Sequence, residues 1–345
     1  MSRALDQSDA VAAKVGDPRS VYDDIVAVIC SRDAGTLEIE LLGKSHPLPP
    51  GSNILQDGRH VAIPKVKLVQ AFTVARQMLF ALCANMQEKH HLELEHASAV
   101  MLLMDPEHLT AANVRKRLLQ IHHTLSTSES MVALERELAF IDSMLTSPLH
   151  RHTKSPTLWY HRRWLLGRYQ SVQMPMNAQR DLTDVVLVAA DRHPRNYYAW
   201  NHMRWNIQLA GGNNRLGTTR VDANASLLSP VKRWCLKHPG DISGWSFLLF
   251  CLLRLDPQGT IYKGLGVNSN SSVCKDVLNL ALSFNWNHES VWGFLSALVA
   301  SGRVDDEQRD EFQRAIEMKI QAQPDGSESQ QRLQSALDRY TENQC

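Results

Sequence analysis

Apolar residues recur with helical spacing over most of the chain, and tryptophan marks this pattern most clearly. Trp159, Trp200, Trp245 and Trp292 are separated by 41, 45 and 47 residues, and a further step of 47 residues back from Trp159 reaches Ala112. We call these five positions the anchors. Seven residues after each anchor the chain carries an aliphatic residue: Leu119, Leu166, Ile207, Leu252 and Val299. Because positions i and i+7 share one stripe of a helix, the spacing predicts a helix that buries each anchor together with its aliphatic partner.

Residues that begin helices stand just before the anchors. Ser155 is followed by Pro156, which places a capping residue before a proline at the first helical position. Asn196, Asp241 and Asn287 are capping types four or five residues before their tryptophans. These positions predict where the anchor helices start.

A second helical pattern precedes each anchor helix, and proline or polar turn residues separate the two. The repeating unit is therefore helix, turn, helix. A single pair of this kind leaves its apolar stripe exposed, whereas stacked pairs bury a continuous one. The sequence predicts an all-α fold, an α-α superhelix of about five repeats that forms a crescent. The predicted repeats span residues 86–123, 131–170, 177–210, 222–256 and 269–301.

The flanks of the repeats differ from them in composition. Residues 1–60 are predicted to form an irregular, partly disordered segment, although TLEIEL (36–41) alternates like a short strand. The solenoid is assigned to residues 61–303 and begins with a helix from about Lys65. Residues 304–345 read as polar helices that cap its far end.

Charge and hydropathy exclude several classes of protein. Lys and Arg total 37 against 36 for Asp and Glu, so a net charge of +1 gives no excess positive field for nucleic acid. The longest unbroken apolar runs have seven residues, against the roughly 20 needed to span a bilayer. The first residues lack the apolar stretch of a secretory signal. We therefore expect a cytoplasmic protein with no membrane span.

Histidines and cysteines do not form a metal motif. The densest stretch places His91 and Glu95 on one helix face, but zinc needs three or four convergent ligands, and neither HExxH nor CxxC occurs. Surface charge on an amphipathic helix is the preferred interpretation. No metal is predicted on this chain.

The polar residues around the anchors resemble a known repeat. KSPTLWYHRRWLL (154–166) and HPRNYYAWNHMRWNI (193–207) are similar to the repeat of protein prenyltransferase alpha subunits, whose pattern is roughly Asn-Tyr-x-x-Trp-x-His-Arg-Arg. DPEHLTAANVRKRLL (105–119) resembles the opening repeat of that family. The last two units keep the tryptophan but little of the polar signature.

This resemblance implies a function. In that family the alpha subunit is a helical crescent around a beta subunit that holds zinc and the isoprenoid pocket. The chain would then be a non-autonomous subunit of a heterodimeric protein prenyltransferase, with no cofactor of its own. Through the heterodimer it would act on geranylgeranyl or farnesyl diphosphate. The second substrate would be a protein with a cysteine near its C-terminus.

The resemblance also implies a role for Lys154. In the family a lysine just before the second repeat's helix reaches the isoprenoid diphosphate, and an ammonium group there stabilises the charge that develops on the leaving group. The family has Asn-Tyr after this lysine, whereas this chain has Ser155 and Pro156. The alternative is a solvated loop lysine.

The corresponding loop of the third repeat carries Arg195, Asn196, Tyr197 and Tyr198. Asn196 and Tyr197 match the family's Asn-Tyr pair, which implies a place near the active site. Tyr198 stands where catalytic members often carry histidine. A capping asparagine with a packed tyrosine is the alternative interpretation.

Basic and imidazole side chains follow the anchors of the two central repeats: His161, Arg162, Arg163, His202 and Arg204. Arginine and aromatic residues on the inner face of a solenoid suit a polar or acidic partner surface. The same arginines also suit ion pairs between neighbouring repeats. We expect a mixture, with tryptophans in the core and the basic set partly at an interface.

Two functions remain open from the sequence. One is the transferase subunit. The other is a non-catalytic helical scaffold for protein binding, which the departures at Ser155, Pro156, Tyr198 and Ala112 favour. An enzyme complete in itself would need a nucleophile, a metal site or a phosphate cradle, and the sequence shows none of these.

Overall fold

A computed structural model of the chain describes residues 17–31, 35–43, 46, 48–84, 86–122, 127–171, 176–212, 220–253 and 267–342. They form two compact units. The first contains the described residues up to Asn177 and Asp184–His202, and the second contains Ala178–Thr183 and the described residues from Met203 onward. Each unit has a core of its own.

Helices dominate both units. The elements, in chain order, are α1 (Pro18–Ile29), β1 (Glu38–Leu42), β2 (Leu55–Asp57), β3 (His60–Pro64), α2 (Lys65–Cys83), a 3₁₀ turn (Glu88–His90), α3 (His91–Met104), α4 (Leu109–His122), α5 (Thr127–Thr146), α6 (Pro156–Ser171), α7 (Ala178–Arg180), a π-helical stretch (Asp181–Val186), α8 (Leu187–Arg192), α9 (Tyr197–Gly212), α10 (Arg220–Lys237), α11 (Ile242–Leu253), α12 (Val267–Ser283), α13 (Glu289–Ala300), α14 (Asp306–Gln321) and α15 (Glu328–Glu342). The predicted all-α fold class of helical pairs is confirmed.

Residues before α2 form regular structure. Strand β1 pairs in parallel with β3, with Ile39 opposite Val61, and β2 pairs with β3 in an antiparallel hairpin. Gly58 has a φ of 56° in the hairpin turn, a conformation that glycine adopts without a steric penalty. The predicted strand at 36–41 corresponds to β1. The prediction of an irregular segment was wrong for α1 and β2, whereas residues 48–54 contain neither helix nor strand. The parallel pairing joins stretches about 20 residues apart, which no local pattern reveals.

Strand β1 is attached to helix α5 by serine hydroxyl groups. The backbone N–H of Leu37 donates to Oγ of Ser143, and that of Ile39 donates to Oγ of Ser147, each over 2.8 Å. All four residues are buried. The N-terminal sheet is therefore part of the first unit's core.

Repeated capping geometry starts the second helix of each pair. The backbone N–H of every anchor bonds the carbonyl four residues earlier, over 3.1 to 3.3 Å. The residues that supply these carbonyls are His108, Ser155, Asn196, Asp241 and His288. The predicted caps Ser155, Asn196 and Asp241 are thus correct. Asn287 was a wrong prediction, because α13 begins one residue later, after His288.

The anchors and three of their five aliphatic partners lie in the core, as expected from their spacing. All four tryptophans are at most 3% exposed, and Leu166, Leu252 and Val299 are also buried. Leu119 and Ile207 are only half-buried, so the prediction that they are buried with their anchors was wrong. Ile207 lies five residues before the end of α9, so a position on the anchor stripe does not by itself ensure full burial.

Aromatic side chains link successive pairs in the second unit. Trp245 lies 5.1 Å from Phe294, measured between ring centroids, and Trp292 lies 6.4 Å from Phe312. Phe312 in turn meets the ring of Tyr340 edge-on at 5.7 Å. The polar helices α14 and α15 thus add a pair to this unit, and their buried aromatic residues continue its core.

Helix α2 is long and apolar enough to cross a bilayer by length and composition alone. In the first unit it packs between α1 and α3. Leu68, Ala71, Ala75 and Leu79 are at most 2% exposed. This burial is typical of a helix in a protein core.

Some predicted segments fall on residues outside the described ranges. They are 1–16, 32–34, 44–45 and 47 of the N-terminal segment, 85, 123–126, 172–175, 213–219 and 254–266 of the predicted solenoid, and 343–345 at the C-terminus.

Candidate functional site

The loop that carries Lys154 is fixed by hydrogen bonds on both sides. Ser155 Oγ accepts from the backbone N–H of Leu158 at 3.1 Å and donates to the carbonyl of Pro106 at 3.1 Å. The carbonyl of Thr153 accepts from the indole N–H of Trp159 at 2.9 Å and from the amide of Asn196 at 2.7 Å. The two residues that flank Lys154 therefore have defined positions.

His152 connects the same loop to helix α3. Its side chain is 4% exposed, and Nε2 lies 2.9 Å from the carbonyl oxygen of Leu103 and 3.1 Å from that of Leu102. Burial lowers the pKa of His152 to about 4, although these carbonyl contacts favour the protonated ring. At neutral pH the imidazole is uncharged and donates to the end of α3.

Lys154 itself is half-buried and stands directly before α6, which starts at Pro156. The partial positive charge of a helix N-terminus favours anions at this position, although Pro156 has no N–H group and Ser155 caps that of Leu158. The ammonium group and the helix end therefore favour the same kind of ligand.

The loop of the third pair lies beside the Lys154 loop. The rings of His150 and His193 stack with centroids 4.5 Å apart. Arg195 is exposed and has a φ of 56°, in the left-handed region. Tyr197 is 56% exposed and meets the ring of half-buried Tyr198 edge-on at 5.7 Å. The stacked pair His150 and His193 thus brings the two loops together.

Asn196 has the capping role. Its Oδ1 accepts from the backbone N–H of Ala199 at 3.2 Å, while its Nδ2 donates to Thr153. The side chain is fully buried, so it does not contact a ligand directly. Its position couples the two loops.

His161 and Arg162 were predicted to lie partly at an interface, and that prediction was wrong. Both are fully buried, and His202 is 5% exposed. Their partners are carboxylates on α5 and a neighbouring imidazole, so the polar signature of these repeats joins helices within the unit.

One buried cluster is centred on Glu137. Arg115 donates to both carboxylate oxygens, with Nη2 2.6 Å from Oε2 and Nε 2.9 Å from Oε1, and Nε2 of His161 lies 3.1 Å from Oε1. Burial raises the pKa of Glu137, but Arg115 and His161 outweigh it and hold that pKa at about 2. Burial lowers the pKa of His161 despite the nearby carboxylate.

A second cluster is centred on Arg162. Nε lies 2.7 Å from Oδ1 of Asp142, and Nη1 donates to Nε2 of His202 at 2.8 Å. Burial, followed by the charge of Arg162, places the pKa of His202 well below its ordinary value. The His202 ring also lies 5.1 Å from that of Trp159.

Sequence reasoning missed Glu137 and Asp142. A signal existed, because Glu137 falls among the apolar positions of α5, three residues after the buried Leu134 and four before the buried Ile141. A carboxylate in an apolar stripe predicts a buried cation nearby.

The two remaining members of the basic set are more accessible. Arg163 is exposed on α6 and Arg204 is half-buried on α9. Within the second unit, Nη2 of Arg204 donates to Oγ of Ser246 at 2.9 Å, and its guanidinium lies 5.6 Å from the ring centroid of Phe247. Arg204 therefore makes a contact between helices of neighbouring repeats, one of the two alternatives that the sequence allowed.

Three cysteine thiols are unsuited to nucleophilic chemistry. Burial raises the pKa of Cys30 and of Cys274 to about 12, and that of Cys235 well above its ordinary value. A thiol is nucleophilic as the thiolate, so these groups are inert at neutral pH. Among the described residues, no group of three or more His, Cys, Asp or Glu side chains is arranged to hold a metal ion.

The region that contains the Lys154 loop is also the region that matches a known repeat family. Residues 134–169, which contain the last two thirds of α5, the Lys154 loop and most of α6, match the protein prenyltransferase alpha subunit repeat. The predicted resemblance to the prenyltransferase alpha subunit family is confirmed. Residues 158–264 also match the ECM9 middle domain.

Curated relatives share this region of the chain. The chain is 31% identical over 180 residues to protein prenyltransferase alpha subunit repeat-containing protein 1-B of Xenopus laevis. The matched region covers 47% of this chain and 38% of that protein. It is 28% identical over 165 residues to protein ECM9 of Saccharomyces cerevisiae (46% and 40%). It is 29% identical over 111 residues to geranylgeranyl transferase type-2 subunit alpha of Dictyostelium discoideum (31% and 32%). The matched region spans about two fifths of the relatives' length or less.

Proposed function

We propose that the chain acts as the alpha subunit of a heterodimeric protein prenyltransferase in the cytoplasm. The match of residues 134–169 to the alpha subunit repeat carries this proposal. Similarity to a geranylgeranyl transferase alpha subunit over 111 residues supports it. A beta subunit with zinc would transfer a geranylgeranyl or farnesyl group to a cysteine near the C-terminus of a target protein.

In this proposal Lys154 contacts the diphosphate of the isoprenoid. The transferred carbon leaves the diphosphate, and negative charge accumulates on the departing oxygens. A half-buried ammonium group ahead of a helix N-terminus stabilises that charge. Trp159 and Asn196 support the proposal because they fix the carbonyl of Thr153, the residue before Lys154.

The test begins with co-expression of the chain and a type-2 geranylgeranyl transferase beta subunit, followed by gel filtration. We expect a heterodimer that transfers labelled isoprenoid to a target protein. Lys154→Ala should slow transfer about tenfold or more with unchanged assembly, and Lys154→Arg should retain most activity. Lys275→Ala, an exposed lysine on α12, is the matched control. An unchanged rate for Lys154→Ala would remove this residue from the mechanism.

A second candidate is a non-catalytic scaffold. Ser155 and Pro156 occupy the positions of the family's Asn-Tyr, and Tyr198 replaces a frequent histidine, so groups that line the family's site are absent here. Under this proposal the chain binds a partner protein and the heterodimer experiment gives assembly without transfer, or no assembly. Transfer that depends on Lys154 would rule it out.

A further inference from the structure

Three serines of the chain are followed directly by proline: Ser147, Ser155 and Ser229. Ser147 and Ser155 are at most 1% exposed, and both hydroxyl groups donate and accept hydrogen bonds inside the first unit. Ser229 belongs to the second unit, where it is exposed on α10. Of the three hydroxyl groups, that of Ser229 is therefore the one that an enzyme in solution reaches.

The backbone of α10 is weakened at Ser229. Pro230 lies inside the helix and has no N–H group to donate to the carbonyl four residues earlier. A residue that precedes proline also prefers extended dihedral angles to helical ones. The turn that contains Ser229 should therefore open more readily than the rest of α10, and its open form is extended.

Two basic residues follow Ser229 within about one helical turn. Lys232 and Arg233 stand three and four residues after it, so they lie on the same side of α10. Lys232 is half-buried, and its ammonium group lies 2.7 Å from Oδ2 of Asp276 on α12. The side chain of Asp276 is half exposed, so this ion pair is weak and the lysine can exchange partners. Arg233 is exposed.

We propose that Ser229 is phosphorylated by a proline-directed protein kinase that requires a basic residue three positions after the serine. The Ser229 hydroxyl attacks the γ-phosphorus of ATP, the bond to the departing ADP oxygen breaks, and the hydroxyl proton passes to a base of the kinase. Pro230 and Lys232 occupy the two positions that such a kinase reads. The residues three positions after Ser147 and Ser155 are His150 and Leu158.

Proline and lysine at these positions have a physical role in recognition. Proline favours the extended form in which a kinase binds its substrate, and it has no N–H group that would lose a hydrogen bond in the complex. An ammonium group pairs with acidic or phosphorylated groups of the kinase.

The folded helix accommodates a phosphate at Ser229. A phosphoserine carries a charge of about −1.5 to −2 at pH 7. Arg233 and Lys232 offset that charge on the same side of α10. Asp276, the acidic partner on the neighbouring helix, then shares Lys232 with the phosphate.

This proposal goes beyond the transferase function and does not depend on it. Its experiment uses the chain alone. Failure of heterodimer assembly would leave it intact, and absence of phosphate on Ser229 would leave the transferase test intact.

The test incubates the folded full chain with a cyclin-dependent kinase and radiolabelled ATP, and mass spectrometry locates the phosphate. We expect a single phosphate on Ser229, and Ser229→Ala should lose it. Ser147 and Ser155 are internal controls, because they carry the same Ser-Pro sequence but are buried. Absence of phosphate on Ser229, or equal rates at the two buried serines, would overturn the proposal.

A pair of variants tests the role of the basic residue. Lys232→Ala should lower kcat/KM of the kinase for the chain about tenfold or more, the loss of one charge-assisted contact. Asp276→Ala is the matched control, because it breaks the same ion pair and leaves the lysine in place for the kinase. This control should be phosphorylated at least as fast as the wild type. Circular dichroism checks that both variants are folded, and equal losses in the two would overturn the proposal.

Discussion

Arg162 and Asp142 form a buried ion pair between α6 and α5. Nε of Arg162 lies 2.7 Å from Oδ1 of Asp142 and Nη2 lies 3.3 Å from Oδ2. The same guanidinium donates to His202 on α9. One buried side chain therefore connects three helices of the first unit, and removal of any partner leaves an unsatisfied group in the core.

Arg162→Ala should destabilise the first unit by about 3–5 kcal/mol, because the Asp142 carboxylate loses its counterion inside the protein. Thermal unfolding followed by circular dichroism would measure the effect. Arg332→Ala removes a pair with Glu328 on an exposed surface of α15 and should change stability little. Equal effects of the two substitutions would show that the buried pair has no special importance.

Stability should fall as pH decreases from about 6.5 to 4. His152 is neutral in the folded state, with a pKa of about 4, against 6.5 as its ordinary value. The unfolded chain therefore binds a proton over this interval that the folded chain does not, at a cost of up to about 3 kcal/mol. His152→Gln should make the decrease in melting temperature between pH 7 and 5 smaller. His161 and His202, whose pKa values are also lowered, leave a residual slope. An identical slope in the variant would contradict the assignment.

Asn196→Ala should destabilise the chain by about 1–3 kcal/mol, because it removes a helix cap and the hydrogen bond to Thr153 together. Asn287→Ala is the control. Asn287 is also an asparagine just before an anchor helix, but His288 occupies the capping position there. Denaturant unfolding of both variants would test this, with a smaller effect expected for Asn287→Ala.

Two glycines in helices should respond to alanine in opposite directions. A Cβ at Gly244 would lie 2.5 Å from Cζ3 of Trp234, whereas a Cβ at Gly167 meets nothing within 4 Å. We expect Gly244→Ala to destabilise by about 1–3 kcal/mol through overpacking. Gly167→Ala, inside α6, should stabilise by about 0.5–1 kcal/mol. Melting temperatures that shift in the same direction would refute this account.

Local signals predicted the repeats well. Ser155, Asn196 and Asp241 act within a few residues of the helices they cap, so the sequence beside each anchor is enough to place them. The tryptophan spacing likewise predicts burial, because one stripe of one helix decides it. The cap predicted at Asn287 was off by one residue, since His288 is the cap. Local sequence patterns do not resolve a difference of one residue.

Contacts between residues far apart in the chain could not be predicted from local sequence patterns. The charges of His161 and Arg162 suggest a surface, and only their carboxylate partners on α5, 20 or more residues earlier, make burial possible. The N-terminal sheet was missed for the same reason, since β1 and β3 pair across a proline-rich connection.

The serine hydroxyls beneath β1 have a consequence for solubility. A strand at the border of a sheet normally offers unpaired N–H groups to any other extended chain. Here Ser143 and Ser147 accept from Leu37 and Ile39 on the side of β1 that faces away from β3. Helix α5 thus occupies two N–H groups on this border, which disfavours pairing of another extended chain there, and it is a helix of the repeats that does so.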